Sequence, residues 1–183
     1  TYIHPAAFNG TILTALRIID NSLTAIPNLY VVKDTLSEIH AQKNLISDIS
    51  NLAGLISLKR VFLTTNHIAV IPSGLFNTLP SLIRFAAQSN FITTLEDITN
   101  CGLPLKIELL NNPFECNCSL AWVVNASLAS ITMTDASCST PEEFNGFLVT
   151  DLNVTDFCIE GESREMNFMQ LQPQSPINVF IRD

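Results

Sequence analysis

One asparagine returns at nearly constant spacing through the first three fifths of the chain, and it constrains everything the sequence can fold into. It stands at Asn21, Asn44, Asn66, Asn90 and Asn112, at intervals of 23, 22, 24 and 22 residues. Apolar residues surround it in fixed register. The first copy reads Leu13, Leu16, Ile18, Asn21, Leu23, Ile26; the second Leu36, Ile39, Ala41, Asn44, Ile46, Ile49; the third Leu58, Val61, Leu63, Asn66, Ile68, Ile71; the fourth Leu82, Phe85, Ala87, Asn90, Ile92, Leu95. A fifth keeps Ile107, Leu109 and Asn112, with Pro104 in the first slot. Self-similarity at such a period means stacked units, each too small to bury its apolar side alone. The second and third apolar positions of each copy are two apart, so they point to one side of a short strand while the residues between point to the other. The asparagine sits where the chain turns out of that strand, and its amide can satisfy backbone groups that no strand ladder reaches.

The pattern LxxLxLxxNxL resembles the leucine-rich repeat family. That resemblance implies an α/β solenoid, a right-handed coil with a parallel β-sheet on its concave side. The return arms repeat as well. Ile26-Pro27 and Ile71-Pro72 close the apolar motif, and Phe8 and Phe76 each lie five residues after Ile3 and Ile71, in inward-facing convex positions. Residues 3–10 thus read as the second half of a repeat. Residues 1–112 are expected to form one partial repeat plus about five more, an N-terminally truncated array whose first coil would expose an unshielded core edge.

After Asn112 the sequence changes character, to Pro113, Phe114, Glu115, Cys116, Asn117, Cys118, Ser119, Leu120, Ala121, Trp122, with Cys138 and Cys158 following at equal intervals. Four clustered cysteines read either as a zinc site or as two disulfides. The first pair is CxC rather than CxxC, and no histidine lies nearby, which favours disulfides and an oxidising compartment. Spacing alone leaves three connectivities open. Residues 113–158 resemble the cysteine-rich C-terminal flanking cap of secreted leucine-rich-repeat proteins, as in Toll-like and neuronal receptor ectodomains. The resemblance implies the pairs Cys116–Cys138 and Cys118–Cys158. Ser119 is positioned to cap a helix from Leu120 to Ala129, and Phe114 and Trp122 to lay apolar area over the final coil. Cys101 is left over as a free thiol. It occupies the inward place of Leu55 and Leu79, where it would pack as a small hydrophobe. N-glycosylation sequons stand at Asn9, Asn125 and Asn153, and formally at Asn117. Residues 159–183 are polar, carry Pro173 and Pro176, and read as a linker or the start of a following segment, with Ile177 to Ile181 a candidate short strand.

The strand residues that do not enter the core line the concave face. They hold six of the nine basic residues and three of the seventeen acidic ones, a net +3 against −11 elsewhere in a chain of net charge −8. Arg60, Arg84 and Lys106 share one slot in consecutive coils and should stack about 5 Å apart. Solvated cations on a polar face are one reading of this row. Phe62, Ile19, Ile83, Leu105 and Leu110 also project there, and an aromatic bordered by arginine is the composition of a protein-binding centre, which favours the other. Arg17, His40, Gln42, Lys59, Arg60, Phe62, Arg84, Gln88, Lys106 and Glu108 are therefore the candidate ligand-binding residues. The partner is expected to be a protein or glycan of acidic character.

The acidic balance argues against a general affinity for nucleic acid or anionic membrane. No run of apolar residues reaches the length of a membrane span. There is no GxSxG, no HExxH and no glycine-rich phosphate loop, and His4, His40 and His67 fall in different slots. No enzyme, cofactor or metal is expected. The sequence thus reads as an extracellular recognition module of a cell-surface receptor or adhesion protein. A freely secreted immune effector or matrix component is the alternative, and a cytosolic scaffold the outsider. Under denaturant without reductant the chain should titrate one thiol, and five after reduction; five in both conditions would place it in the cytosol.

Overall fold

The computed structural model describes residues 3–102, 104–125 and 131–158. The linker and the short strand expected beyond Cys158 lie outside the described residues. Five short strands, β1 (Ala15–Arg17), β2 (Glu38–His40), β3 (Arg60–Phe62), β4 (Arg84–Ala86) and β5 (Leu105–Glu108), pair in chain order into a parallel sheet. Their register aligns Leu16, Ile39, Val61, Phe85 and Ile107 in one row. All five are buried, and they face a single core shared by every coil.

Parallel neighbours need a crossover connection of a dozen or more residues. Here each crossover is closed by a short 3-10 turn rather than an α-helix: Tyr30–Val32, Ser50–Leu52, Phe76–Thr78 and Thr99–Cys101. Leu29, Val32, Ile49, Leu52, Phe76 and Ile98 bury their side chains from this side. Phe76 meets Phe85 edge-on at 5.3 Å, tying a return arm to a strand across the core.

The repeated asparagines form a ladder. Asn66 is buried; its Oδ1 accepts from Ile46 N at 3.0 Å, and its Nδ2 donates to Ala41 O in the preceding coil and Leu63 O in its own. Asn44, Asn90 and Asn112 repeat the arrangement with Leu23 N, Ile68 N and Ile92 N. Asn21 has no such reach. It is exposed, and among the described residues its side chain bonds Ile18 O and Ile19 O of its own turn. The residue before each asparagine takes a left-handed conformation, with φ between 54° and 59° at Asp20, Lys43, Thr65, Ser89 and Asn111. That turn brings the amide sideways into the core.

Beyond Asn112 the chain forms β6 (Phe114–Glu115), α1 (Ala121–Asn125), β7 (Ile131–Thr134), β8 (Cys138–Thr140) and α2 (Val154–Phe157). Disulfides join Cys116 to Cys138 and Cys118 to Cys158, with Cα atoms 5.5 and 4.7 Å apart. β6 pairs with β8, while β7 adds to β5 as a sixth parallel strand. The cap thus continues the repeat sheet as well as covering it. Trp122 is buried and donates from Nε1 to Leu95 O at 3.2 Å, and Phe114 is wholly buried.

Two expectations need correction. Ser119 does not cap the helix. Asn117 Oδ1 accepts from Ser119 N at 2.9 Å in an Asx turn that opens a 3-10 turn at Cys118–Leu120, and α1 continues from that turn. Cys101 is half-buried against the core rather than wholly inside it. It is the last residue of its 3-10 turn, whereas Leu55 and Leu79 follow theirs.

Asn66→Ala leaves one buried N–H and one or two buried carbonyls unpaired, so it should cost about 2–4 kcal/mol in urea unfolding. Asn21→Ala, at an exposed site with two local bonds, should cost less than about 1 kcal/mol.

Candidate functional site

The outward side of the sheet carries the candidate residues in rows set by strand register. Glu38, Arg60, Arg84 and Lys106 fall in one row, and Arg17, His40, Phe62, Ala86 and Glu108 in the next. A short turn after each strand sets a third row of His40's coil neighbours, including Gln42, Thr64 and Gln88.

The cations of the first row are not left free, as the sequence suggested. Arg60 Nη1 donates to Glu38 Oε1 at 2.6 Å. Arg84 Nη2 donates to both oxygens of Glu108, at 3.0 and 2.9 Å, and Lys106 Nζ reaches Glu108 Oε1 at 2.6 Å. Gln88 Nε2 donates to Glu108 Oε2 at 3.1 Å, and Gln88 Oε1 accepts from Thr64 Oγ1 at 2.8 Å. Glu108 is 7 % exposed and lies beneath the Arg84, Lys106 and Gln88 donors that it holds in place. The correction has a physical origin: a carboxylate surrounded by three donors sinks beneath them. Arg17 and Lys59 stay exposed with no carboxylate in ion-pair range among the described residues.

Phe62 stands at the centre. The His40 ring stacks on it at 4.6 Å with an interplanar angle of 22°, and the Arg84 guanidinium lies over it at 5.1 Å. His40 Nε2 is within 3.0 Å of Glu38 Oε2, so Glu38 organises both His40 and Arg60. The sequence shortlist omitted Glu38. Its signal was present, since it lies one repeat before Arg60 in the same slot and two residues before His40 on the same strand face. Two polar atoms here are buried without a partner, Gln42 Oε1 and Arg84 Nε.

Apolar area borders these rows. Ile19, Ile83 and Leu110 are exposed. Leu105, expected beside them, is buried instead, because β7 pairs along β5 there and sets Ile131 opposite it. Among the sequon asparagines, Asn9 and Asn153 are exposed and lie away from the sheet, Asn9 after the first 3-10 turn and Asn153 before α2. Asn125 ends α1, and Asn117 is the turn-capping residue described above. Among the described residues no group of three His, Cys, Asp or Glu side chains is arranged to hold a metal ion, and no helix is long and apolar enough to cross a membrane.

The two glutamates titrate low. Hydrogen bonds from His40 and then Arg60 hold Glu38 below the ordinary value of 4.5. Burial pushes Glu108 upward, and the bonds from Lys106 and Arg84 outweigh it and leave the carboxyl depressed.

No family model matches the chain. Human 5T4, described as Wnt-activated inhibitory factor 1 or trophoblast glycoprotein, superposes with a TM-score of 0.57 at 22 % identity, over 72 % of this chain and 51 % of that one. A chain from the octameric complex of Latrophilin 3, Unc5D and FLRT2 (LRR) superposes with a TM-score of 0.57 at 21 % identity, over 78 % and 53 %. This chain has the leucine-rich-repeat fold. In sequence the chain is 28 % identical over 117 residues to SLIT and NTRK-like protein 4 of Mus musculus, and 33 % over 78 residues to protein phosphatase 1 regulatory subunit 29 of Homo sapiens. Those stretches cover 60 % and 39 % of this chain but only 14 % and 10 % of the relatives, so the chain spans a small part of their length. The leucine-rich-repeat coil is closed by two disulfides, which persist in an oxidising environment, and the module is extracellular.

A glutamate depressed in the folded state adds stability that is fully present above its unfolded pKa and lost as pH falls through the lower, folded one. Urea midpoints should therefore fall as pH drops below the ordinary value of 4.5. Glu108→Gln should be less stable than the parent at neutral pH and show a shallower loss across that acid window.

Proposed function

We propose that this chain is a ligand-recognition module of an extracellular receptor or adhesion protein, and that it binds a protein partner through the outward face of its sheet. The observation that carries the reading is the centre built on Phe62, an aromatic ring held between His40 and Arg84 and flanked by Arg60, with exposed Ile19, Ile83 and Leu110 around it. A rigid aromatic beside arginine, bordered by apolar area, is the composition of binding hot spots. The complex containing FLRT2 with Latrophilin 3 and Unc5D supports protein partners for repeats of this architecture.

The reading is one of binding rather than catalysis. His40, on this face, has its Nε2 beside Glu38 and its ring on Phe62, which suits a contact residue better than a general base. Arg17, Lys59 and Lys106 extend the face as its cationic rim, with Gln42 and Gln88 as adaptable polar contacts. Residues 1–112 then serve as the repeat array and 113–158 as its cap. The glycans implied by Asn9, Asn125 and Asn153 would sit outside the binding rows.

The test is a pull-down from extracellular extracts with the folded chain as bait, beside the Arg60→Glu, Arg84→Glu double variant, with folding of each checked by circular dichroism. The double variant should bind its captured partner several-fold more weakly, with a reduced dependence on salt. Equal capture by both baits removes the face from the reading.

A further inference from the structure

The proposal deepens the reading just given and rests on it: we infer that the space between Arg60 and Arg84, beside the Phe62 ring, seats one carboxylate from an Asp or Glu side chain of the protein partner. Arg60 and Arg84 are register neighbours on adjacent strands, one inter-strand distance apart. Two like charges so placed repel, and here each leans away from the other. Arg60 is drawn through Nη1 to Glu38 on one side, and Arg84 through Nη2 to Glu108 on the other. No carboxylate stands between them in that row, because Glu38 and Lys106 are the next residues outward. The two arginine side chains are 45 % and 42 % exposed, and Arg60 Nη2 and Arg84 Nη1 make no hydrogen bond among the described residues.

A planar carboxylate has the acceptor geometry that such a pair of forks presents, and it would relieve their mutual repulsion on entry. The glutamates anchor the forks in advance, so little side-chain freedom is lost on binding. Phe62, with His40 stacked on its ring, carries the Arg84 guanidinium at 5.1 Å and so helps to hold that fork beside the seat.

The same arrangement separates a protein from a sulfated glycan. A polyanion gains from several unpaired cations in line, but Glu38 and Glu108 already compensate this row, leaving Glu38, Arg60, Arg84, Lys106 and Glu108 with a net charge of only +1. A polyanion also has nothing to bury against exposed Ile19, Ile83 and Leu110. A protein surface with one acidic residue set among apolar ones meets both conditions.

The experiment pans a random-peptide display library on the folded chain and measures the selected peptides by fluorescence anisotropy. Peptides with Asp or Glu beside apolar residues should dominate. Arg60→Gln and Arg84→Gln should each weaken them about tenfold, Glu38→Gln, which frees Arg60 from the anchor that positions it, should weaken them by a smaller factor, and Lys33→Gln on the opposite side should change nothing. If the selected peptides hold equally well to both arginine variants but are lost with Ile83→Ser or Leu110→Ser, the carboxylate seat is wrong while the binding face stands. Indifference to all four substitutions overturns both. Retention of the chain on heparin at physiological salt, abolished by the arginine changes, overturns the protein partner in favour of a glycan.

Discussion

The fold depends on a side-chain amide doing the work of backbone. A coil of about 22 residues has strands of three or four residues, too short for sheet hydrogen bonds alone to fix the turn that follows. Asn44, Asn66, Asn90 and Asn112 supply the missing bonds from inside the core, each serving its own coil and the one before it. With that turn fixed, the leucine and isoleucine positions fall into rows, and the outward residues become a continuous surface whose composition can be chosen independently of the fold. The left-handed residue ahead of each asparagine is the strain this geometry requires, and it is accepted even at β-branched Thr65.

On the outward surface the charges organise one another before any partner arrives. Glu38 begins the row of Arg60, Arg84 and Lys106, Glu108 lies in the next row, and the two carboxylates fix the directions of all three cations. Such internal pairs contribute little to folding where they are exposed. Their value is positional. A guanidinium already held in one rotamer offers a partner defined donors at a lower entropic cost than a solvated one would. Phe62 belongs to the same device, held from both sides by His40 and Arg84.

How much of this was legible in the sequence follows from period. The asparagine spacing gave strand register to the residue, and through it the row of Arg60, Arg84 and Lys106 and its neighbour row of His40 and Phe62. What register does not encode is depth. Glu108 and Leu105 occupy outward slots by count, yet both are buried, Glu108 beneath its three donors and Leu105 beside a strand contributed by the cap. That strand, Ile131–Thr134, has no asparagine and no repeat motif, and it joins the sheet by meeting the edge of β5. Cys101 was misplaced for a related reason, since counting back from a strand assumes that every return turn has the same length. Glu38 shows the reverse case, a residue whose slot was readable and whose importance emerged only from its two bonds.

The ladder also runs in one direction. Each buried asparagine reaches back to the coil ahead of it in the chain, and the Asn21 side chain, with no described strand beyond β1 to reach, bonds its own turn. At the other extremity Cys116–Cys138 and Cys118–Cys158 bind the closing segments covalently. A reductant would therefore act on the segments past Asn112 and leave the coils before it, joined by amides and apolar packing alone, in place.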